Sequence, residues 1–146
     1  MFMRPASITK FDQLYLGAMA LGIANTVLNY DNTMAQLEAD PAVAAAGMAG
    51  PGFMLAATAF GFAISLLLWF FISRRASNIA KWILLVLTLI GTLMMPLGLA
   101  AVPLVQAVIA VAITVMQIAA LWFLFRPDAK AWFEHGPKGM DPAAFE

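Results

Sequence analysis

The chain has 146 residues, of which 63% are hydrophobic and only 11% are charged, whereas about a quarter of the residues in soluble domains carry a charge. A soluble fold of this size leaves a large part of its surface in water, so the composition excludes an ordinary soluble globule. The formal net charge is zero, which gives no indication of a nucleic-acid partner. The absence of Cys excludes disulfides and Cys-ligated metal sites.

Long stretches without charged residues predict four membrane-spanning helices, because a helix needs about 20 apolar residues to cross roughly 30 Å of hydrocarbon. The last stretch is long enough for two helices and contains Pro96 and Pro103. Pro103 suits the first turn of a helix, where its missing N–H is not needed, and Pro96 is expected to kink or end the preceding helix. The four predicted spans are residues 13–30, 53–72, 82–100 and 104–125. The predicted fold is therefore an all-α, antiparallel four-helix bundle in a membrane.

The positively charged residues indicate how the four spans are oriented. All eight Lys and Arg residues precede the first span, separate the second from the third, or follow the fourth: Arg4, Lys10, Arg74, Arg75, Lys81, Arg126, Lys130 and Lys138. The connector 31–40 carries Asp31, Glu38 and Asp40 and no positive charge. By the positive-inside rule, we expect the N- and C-termini in the cytoplasm and the acidic connector outside.

All four Trp residues lie on the same side of the pattern as the positive charges, where amphipathic rings favour the headgroup layer. The residues predicted to anchor the helix ends at this interface are Trp69, Trp82, Trp122, Trp132, Arg74, Arg75, Lys81 and Arg126. A short helix over 127–133 is expected to dip Trp132 and Phe133 into the interface. The transmembrane domain is therefore placed at residues 1–133, with a flexible cytoplasmic tail at 134–146.

The N-terminal segment has a second interpretation, as a cleaved signal peptide. Arg4 and Lys10 would form its charged region, and residues 14–24 its apolar region. Asn25 and Asn29 stand where small residues should lead to a cleavage site, and cleavage would leave only three spans. We therefore favour a retained first span.

None of the four predicted spans contains Asp, Glu, Lys, Arg or His. Intramembrane charge is the usual mark of proton-coupled transporters and pumps, so its absence argues against antiport of the small-multidrug type. It also leaves no acid–base pair for catalysis within the bilayer. We therefore predict a protein that is not an enzyme and uses no cofactor or metal. Its ten Met residues are interpreted as apolar filler and not as Cu(I) ligands.

Neutral polar residues recur within the spans and have two interpretations. Asn25 and Asn29 share a face of the first span, because four residues make about one helical turn, and Thr88 and Thr92 do the same on the third. The fourth span carries a stripe of polar residues along one face, formed by Gln106, Thr114 and Gln117. They predict interhelical hydrogen bonds that fix packing or, alternatively, the lining of a solute path. We favour packing, because no charged residue accompanies them.

Small residues four positions apart form two further stripes. Ala18 and Gly22 lie on the first span, and Ala57, Gly61 and Ser65 lie on the second. Small side chains let helix backbones approach closely in lipid. The stripes therefore predict packing within the bundle or, alternatively, a docking face for another copy or another membrane protein.

Segments near the two ends of the chain resemble known proteins. They are RPASI at residues 4–8, FDQLYL at residues 11–16 and FRPDAKAWF at residues 125–133. They resemble segments of small, uncharacterised four-span proteins of bacterial inner membranes. The resemblance implies localisation in the bacterial inner membrane and implies nothing about activity.

These features predict an accessory, structural or interaction subunit in the lipid bilayer, which acts through helix–helix contacts with another membrane protein or with further copies of itself. The alternative is an oligomeric transporter or channel for a small neutral or polar solute. A third class, an enzyme at the membrane face, rests only on the exterior carboxylates. The surroundings of Gln106 and Gln117 discriminate between the first two. A solute path requires these side chains to face a water-accessible cavity, whereas packing requires a neighbouring helix.

Overall fold

The computed structural model describes residues 4–99 and 102–137, and this part of the chain is all helical, with no strand. The helices are α1 (Ala6–Leu28), α2 (Tyr30–Ala39), α3 (Pro41–Ala45), α4 (Pro51–Arg75), α5 (Asn78–Leu99), α6 (Leu104–Leu124) and α7 (Pro127–His135). The all-α prediction is confirmed. The end of the predicted third span at residue 100, the cation Lys138 and residues 139–146 of the predicted tail lie outside the described residues.

Proline residues begin three of these helices. α3, α4 and α7 start at Pro41, Pro51 and Pro127, where the missing N–H has no helical acceptor to lose. Asp40 caps α3, because its carboxylate accepts hydrogen bonds from two N–H groups of the first turn. Pro96 lies inside α5, which continues to Leu99. The third apolar helix therefore does not end at Pro96.

The long helices α1, α4, α5 and α6 pack side by side, and α1 makes its most extensive contact along α6. α1 and α6 run in opposite directions. Asn29 near the end of α1 bonds Gln106 near the start of α6, while Phe11 and Leu124 share a buried core at the other end. α5 contacts both α4 and α6. Neighbouring helices are therefore antiparallel, as short connections between them require.

The two ends of this helix group differ in charge. The end that we call the basic end carries every Lys and Arg of the described chain: Arg4, Lys10, Arg74, Arg75, Lys81, Arg126 and Lys130. The opposite end, which we call the acidic end, is formed by α2 and α3 with Asp31, Glu38 and Asp40. Every positive charge of the described chain therefore lies at one end of the apolar helices, and the other end carries only negative charges.

The buried core lies at the basic end. Its largest fully buried apolar side chains are Trp132, Phe11, Ile8, Ile72 and Leu124. α7 folds against α1 and α6, and Nε1 of Trp132 donates a 3.3 Å hydrogen bond to the carbonyl oxygen of Ile72. Trp132 is expected at the membrane interface but is only 2% exposed. It is buried because α7 packs against α1 and α6 and closes the core at the basic end. Trp82 and Trp122 are exposed, whereas Lys81, another expected anchor, is buried.

Within the part of the chain that the structure describes, three helices, α4, α5 and α6, are long and apolar enough to cross a membrane. In the most apolar 18-residue stretch of each, no more than 17% of the residues are buried, so their apolar side chains face outward. α1, which carries the predicted first span, is not among these three. It is the least apolar of the four long helices, because it includes Lys10, Asp12 and Asn25.

Candidate functional site

A cavity of about 420 Å³ lies at the acidic end, between α1, α2, α4, α5 and α6. Its polar lining residues are Asn25, Thr26, Asn29, Thr33, Thr58 and Gln106. We call it the amide cavity, because three side-chain amides meet in it. Its volume falls within the range of small-molecule sites.

Asn29 is the centre of the amide cavity. It occupies the break between α1 and α2, with φ −112° and ψ 20°, because an Asn side chain competes with the helical backbone for hydrogen bonds. Its Nδ2 donates to the side-chain oxygen of Asn25 at 2.8 Å and to the carbonyl oxygen of Asn25 at 2.9 Å. Its Oδ1 accepts a hydrogen bond from Nε2 of Gln106. Asn29 therefore holds α1 and α6 together where the cavity begins.

Three hydrogen-bonding groups of the lining residues have no partner within the described part of the chain. They are Nδ2 of Asn25, Oε1 of Gln106 and the hydroxyl of Thr58. Buried polar groups are normally satisfied by protein or by water, and the half-buried Asn25 and Thr58 are accessible from the cavity. The cavity can therefore hold a ligand, or ordered water, that both donates and accepts hydrogen bonds.

Among the described residues, none that lines the amide cavity has an ionisable side chain. Transfer of an ion into such a site is costly without a counter-charge. Met54, Met95 and Leu99 supply apolar surface beside the amides. The chemistry of the site therefore favours a small, neutral and polar molecule.

Gln117, the other Gln of the predicted stripe, lies in a separate cavity of about 90 Å³. There it faces Tyr15, Phe62 and Ser65, and the Tyr15 hydroxyl donates a 3.1 Å hydrogen bond to the Ser65 carbonyl oxygen. The two Gln residues thus line different cavities, and the stripe is not one continuous path.

The other predicted polar positions make local hydrogen bonds. Thr92 donates to the carbonyl oxygen of Thr88 at 2.7 Å, one turn earlier in α5. The Thr114 hydroxyl donates to the carbonyl oxygen of Ala110 at 2.9 Å and lies 3.2 Å from Sδ of Met95. Thr114 therefore contacts α5 next to the amide cavity, and neither Thr88 nor Thr92 lines that cavity.

The two predicted small-residue stripes have different surroundings. On α1, Ala18 is buried, and a Cβ added to Gly22 would lie 3.9 Å from the Phe62 ring. On α4, Ala57 and Gly61 are exposed, and a Cβ added to Gly61 would meet no atom within 4 Å. The stripe on α1 packs inside the bundle, whereas the stripe on α4 faces outward.

Sequence reasoning missed a polar network at the basic end. The Asp12 carboxylate accepts hydrogen bonds from Nε1 of Trp69, Oγ of Ser73 and Nη1 of Arg4. Asp12 lies just before the predicted first span, and sequence periodicity gives no indication of a partner more than fifty residues away. The four-residue spacing of Trp69 and Ser73, which puts both on one helix face, is the only signal that could have suggested a shared acceptor.

Asp128, in α7, accepts hydrogen bonds from Ser7 in the first turn of α1. Its Oδ1 accepts a 2.7 Å hydrogen bond from the Ser7 hydroxyl, and its Oδ2 accepts a 3.0 Å bond from the Ser7 N–H. Burial alone would raise the pKa of Asp128, but hydrogen bonds from Ser7 and from the N–H groups of Ala129 and Asp128 outweigh it and lower that pKa below its ordinary value. Asp128 therefore acts as a cap supplied by another helix.

Within residues 4–99 and 102–137, no three His, Asp or Glu side chains come together as metal ligands would. No protein-family model matches the chain, and no curated protein and no solved structure matches it. Function is therefore inferred from the geometry of the amide cavity and of the helix surfaces.

Proposed function

We propose that this chain is a four-span protein of the bacterial inner membrane, with its basic end in the cytoplasm and its acidic end outside. The three apolar helices with outward-facing apolar residues support this location. A helix of the length of α6, 21 residues, extends about 30 Å and matches the hydrocarbon thickness. α1 lies antiparallel along α6, so it crosses the same layer as the fourth span.

The proposed function is binding of a small, neutral, polar solute in the amide cavity from the outer side. The observation that carries this proposal is that Gln106 faces a cavity together with Asn25 and Asn29. The sequence favoured a packing role for these residues, and Gln106 does bond Asn29 next to the neighbouring helix α1. The same side chain also lines the cavity. The unpartnered donor of Asn25 and acceptor of Gln106 match a molecule such as a primary amide or a polyol.

Transport is an extension of this proposal. The core of Ile8, Phe11 and Leu124 closes the bundle below the amide cavity, so passage of a solute needs a second conformation in which the basic end opens. Flux of acetamide or glycerol into proteoliposomes tests transport separately from binding.

Saturation-transfer NMR on the detergent-solubilised full chain tests binding. Acetamide and acetate have nearly the same shape and differ in charge, so we expect a signal from acetamide and none from acetate. Gln106→Leu should abolish the acetamide signal, because it removes the amide that lines the cavity. Gln117→Leu is the matched control, since it makes the same change on the same helix in the other cavity. An unchanged signal in Gln106→Leu, or equal signals from acetate and acetamide, would contradict the proposal.

A second candidate function is that of an interaction subunit, and the exposed Ala57 and Gly61 of the small-residue stripe on α4 support it. Gly61→Leu should disrupt association with a second copy or another membrane protein without disturbing the fold, because no atom lies near the added Cβ. Gly91→Leu on α5 is the matched control, since its Cβ also meets no atom within 4 Å. The measurement is the yield of cross-linked complex in native membranes for each of the two variants. Equal yields from Gly61→Leu and Gly91→Leu would count against this candidate.

A further inference from the structure

A cavity of about 300 Å³ lies at the basic end, where α5 begins beside α7. It is lined by Asn78, Lys81, Lys130, Phe133 and Glu134, and we call it the basic cavity. Two of these side chains are positive and one is negative, so the lining has an excess of one positive charge. This cavity shares no residue with the amide cavity.

Lys81 is the unusual residue of the basic cavity. It is only 7% exposed, and among the described residues its ammonium group makes no hydrogen bond or ion pair. Its Nζ instead lies 4.6 Å from the centre of the Phe133 ring and 5.0 Å from that of Phe125. Ring faces attract a cation, but they leave the N–H donors of the ammonium without an oxygen acceptor. Cations with little exposed surface are normally paired with an anion, and no carboxylate among the described residues forms an ion pair with Lys81.

The position of the basic cavity along α5 indicates where that anion comes from. Ile79 and Trp82, on either side of Lys81 in the chain, are exposed, and α5 is free of charged residues from Trp82 to Leu99. If the proposed membrane location holds, Lys81 therefore lies at the level of the lipid headgroups, where Trp residues concentrate.

We propose that the basic cavity binds the phosphodiester of a membrane phospholipid, with Lys81 and Lys130 as its cationic ligands. A phosphodiester carries one negative charge, which balances the excess positive charge of the lining. Glu134 at the same cavity repels a doubly charged free phosphate more strongly than a singly charged diester. The Asn78 amide stands at the first turn of α5, where helix N–H groups also favour an anion.

Native mass spectrometry of the full chain in detergent tests this proposal with three probes. They are dioleoyl phosphatidylglycerol, dioleoylglycerol, which has the same acyl chains without the phosphate, and inorganic phosphate. We expect the protein to retain the phospholipid and not the diacylglycerol. Lys130→Met should weaken retention about fivefold, as loss of one interfacial cation does. Lys81→Met should abolish retention of the phospholipid. Because Lys81 is part of the packed interior, its substitution also affects the fold, and the test is therefore decided at the exposed Lys130.

Lys10→Met is the matched control, because Lys10 is an exposed cation at the same end that does not line the basic cavity. Equal weakening by Lys10→Met and Lys130→Met would indicate diffuse attraction and overturn the site. Equal retention of dioleoylglycerol would overturn the role of the phosphate, and displacement of the lipid by inorganic phosphate would overturn the lipid as its source. Failure of the membrane location would appear separately, as a chain that stays soluble without detergent.

Discussion

Oδ1 of Asp12 accepts a 2.8 Å hydrogen bond from Nε1 of Trp69, which joins α1 to α4 at the basic end. The other carboxylate oxygen accepts from Oγ of Ser73 at 2.9 Å and from Nη1 of Arg4 at 2.8 Å. Charge-assisted hydrogen bonds of this kind are stronger than neutral ones. Asp12 is therefore a structural link between two helices, and both of its carboxylate oxygens accept hydrogen bonds from protein donors.

Asp12→Asn should destabilise the protein by about 2 kcal/mol, because an amide loses the charge and turns one NH₂ group toward donors. Unfolding of the purified protein in mixed micelles, followed by Trp fluorescence, measures this change. Asp31→Asn is the matched control, since Asp31 is exposed on α2, and it should change stability by less than about 0.5 kcal/mol. Equal effects of the two substitutions would show that Asp12 has no special role.

Because of the Ser7–Asp128 pair, the free energy of unfolding should depend on pH in the acid range. The pKa of Asp128 is lower in the folded protein than its ordinary value, so the folded state favours the carboxylate. This stabilisation is fully present above the unfolded pKa of about 3.9 and is lost as the pH falls through the lower, folded pKa.

The measurement is the difference in unfolding free energy between the natural chain and Asp128→Asn, taken from pH 7 down to pH 3. We expect the difference to be constant from pH 7 to about pH 5 and to shrink below about pH 4. Asp40→Asn serves as the control, because Asp40 caps α3 at the opposite end of the molecule. A difference that grew on acidification would contradict the direction of the pKa shift.

Trp132 should contribute to folding as a core residue. Trp132→Ala should cost about 3–5 kcal/mol, as loss of a buried aromatic side chain does. Trp132→Phe should cost about 1 kcal/mol from the missing Nε1 hydrogen bond, with a further amount for the smaller ring. Trp122→Ala is the control, because Trp122 is 61% exposed and should change the unfolding free energy far less. Similar losses of unfolding free energy for Trp132→Ala and Trp122→Ala would contradict a special role of Trp132 in the core.

α1 should cross the membrane, although it is the least apolar of the long helices. The chain has no Cys, so single cysteines report on sidedness without background. Ala6 and Ala44 are exposed and lie on opposite sides of α1. We expect a membrane-impermeant maleimide to label Ala44→Cys in intact cells and Ala6→Cys only after permeabilisation. Labelling of both positions in intact cells would exclude α1 as a span.

The apolar helices could be predicted from sequence because length and hydropathy are local properties. Predicted spans at 53–72 and 104–125 lie almost entirely within α4 and α6, and the real helices differ mainly at their polar ends, where caps decide the boundary. Of the two outcomes predicted at Pro96, an end of the helix is excluded, because α5 continues beyond it, and a kink stays a prediction.

The candidate site was only partly predictable. The shared face of Asn25 and Asn29 follows from helical spacing, and these residues do bond each other. The separation of Gln106 from Gln117 does not follow from spacing, because it depends on which side chains of α1 and α4 fill the interior between them. The partners of Asp12 and the burial of Trp132 were missed for the same reason, since both depend on contacts between distant segments.

The hydrogen bonds between Ser7 and Asp128 join residues 121 positions apart. During translation, the first turn of α1 leaves the ribosome long before Asp128 has been made. The Ser7 N–H must therefore be solvated until α7 has been synthesised. Completion of the contacts at the start of α1 is thus a late event in folding, which depends on a segment near the other end of the described chain.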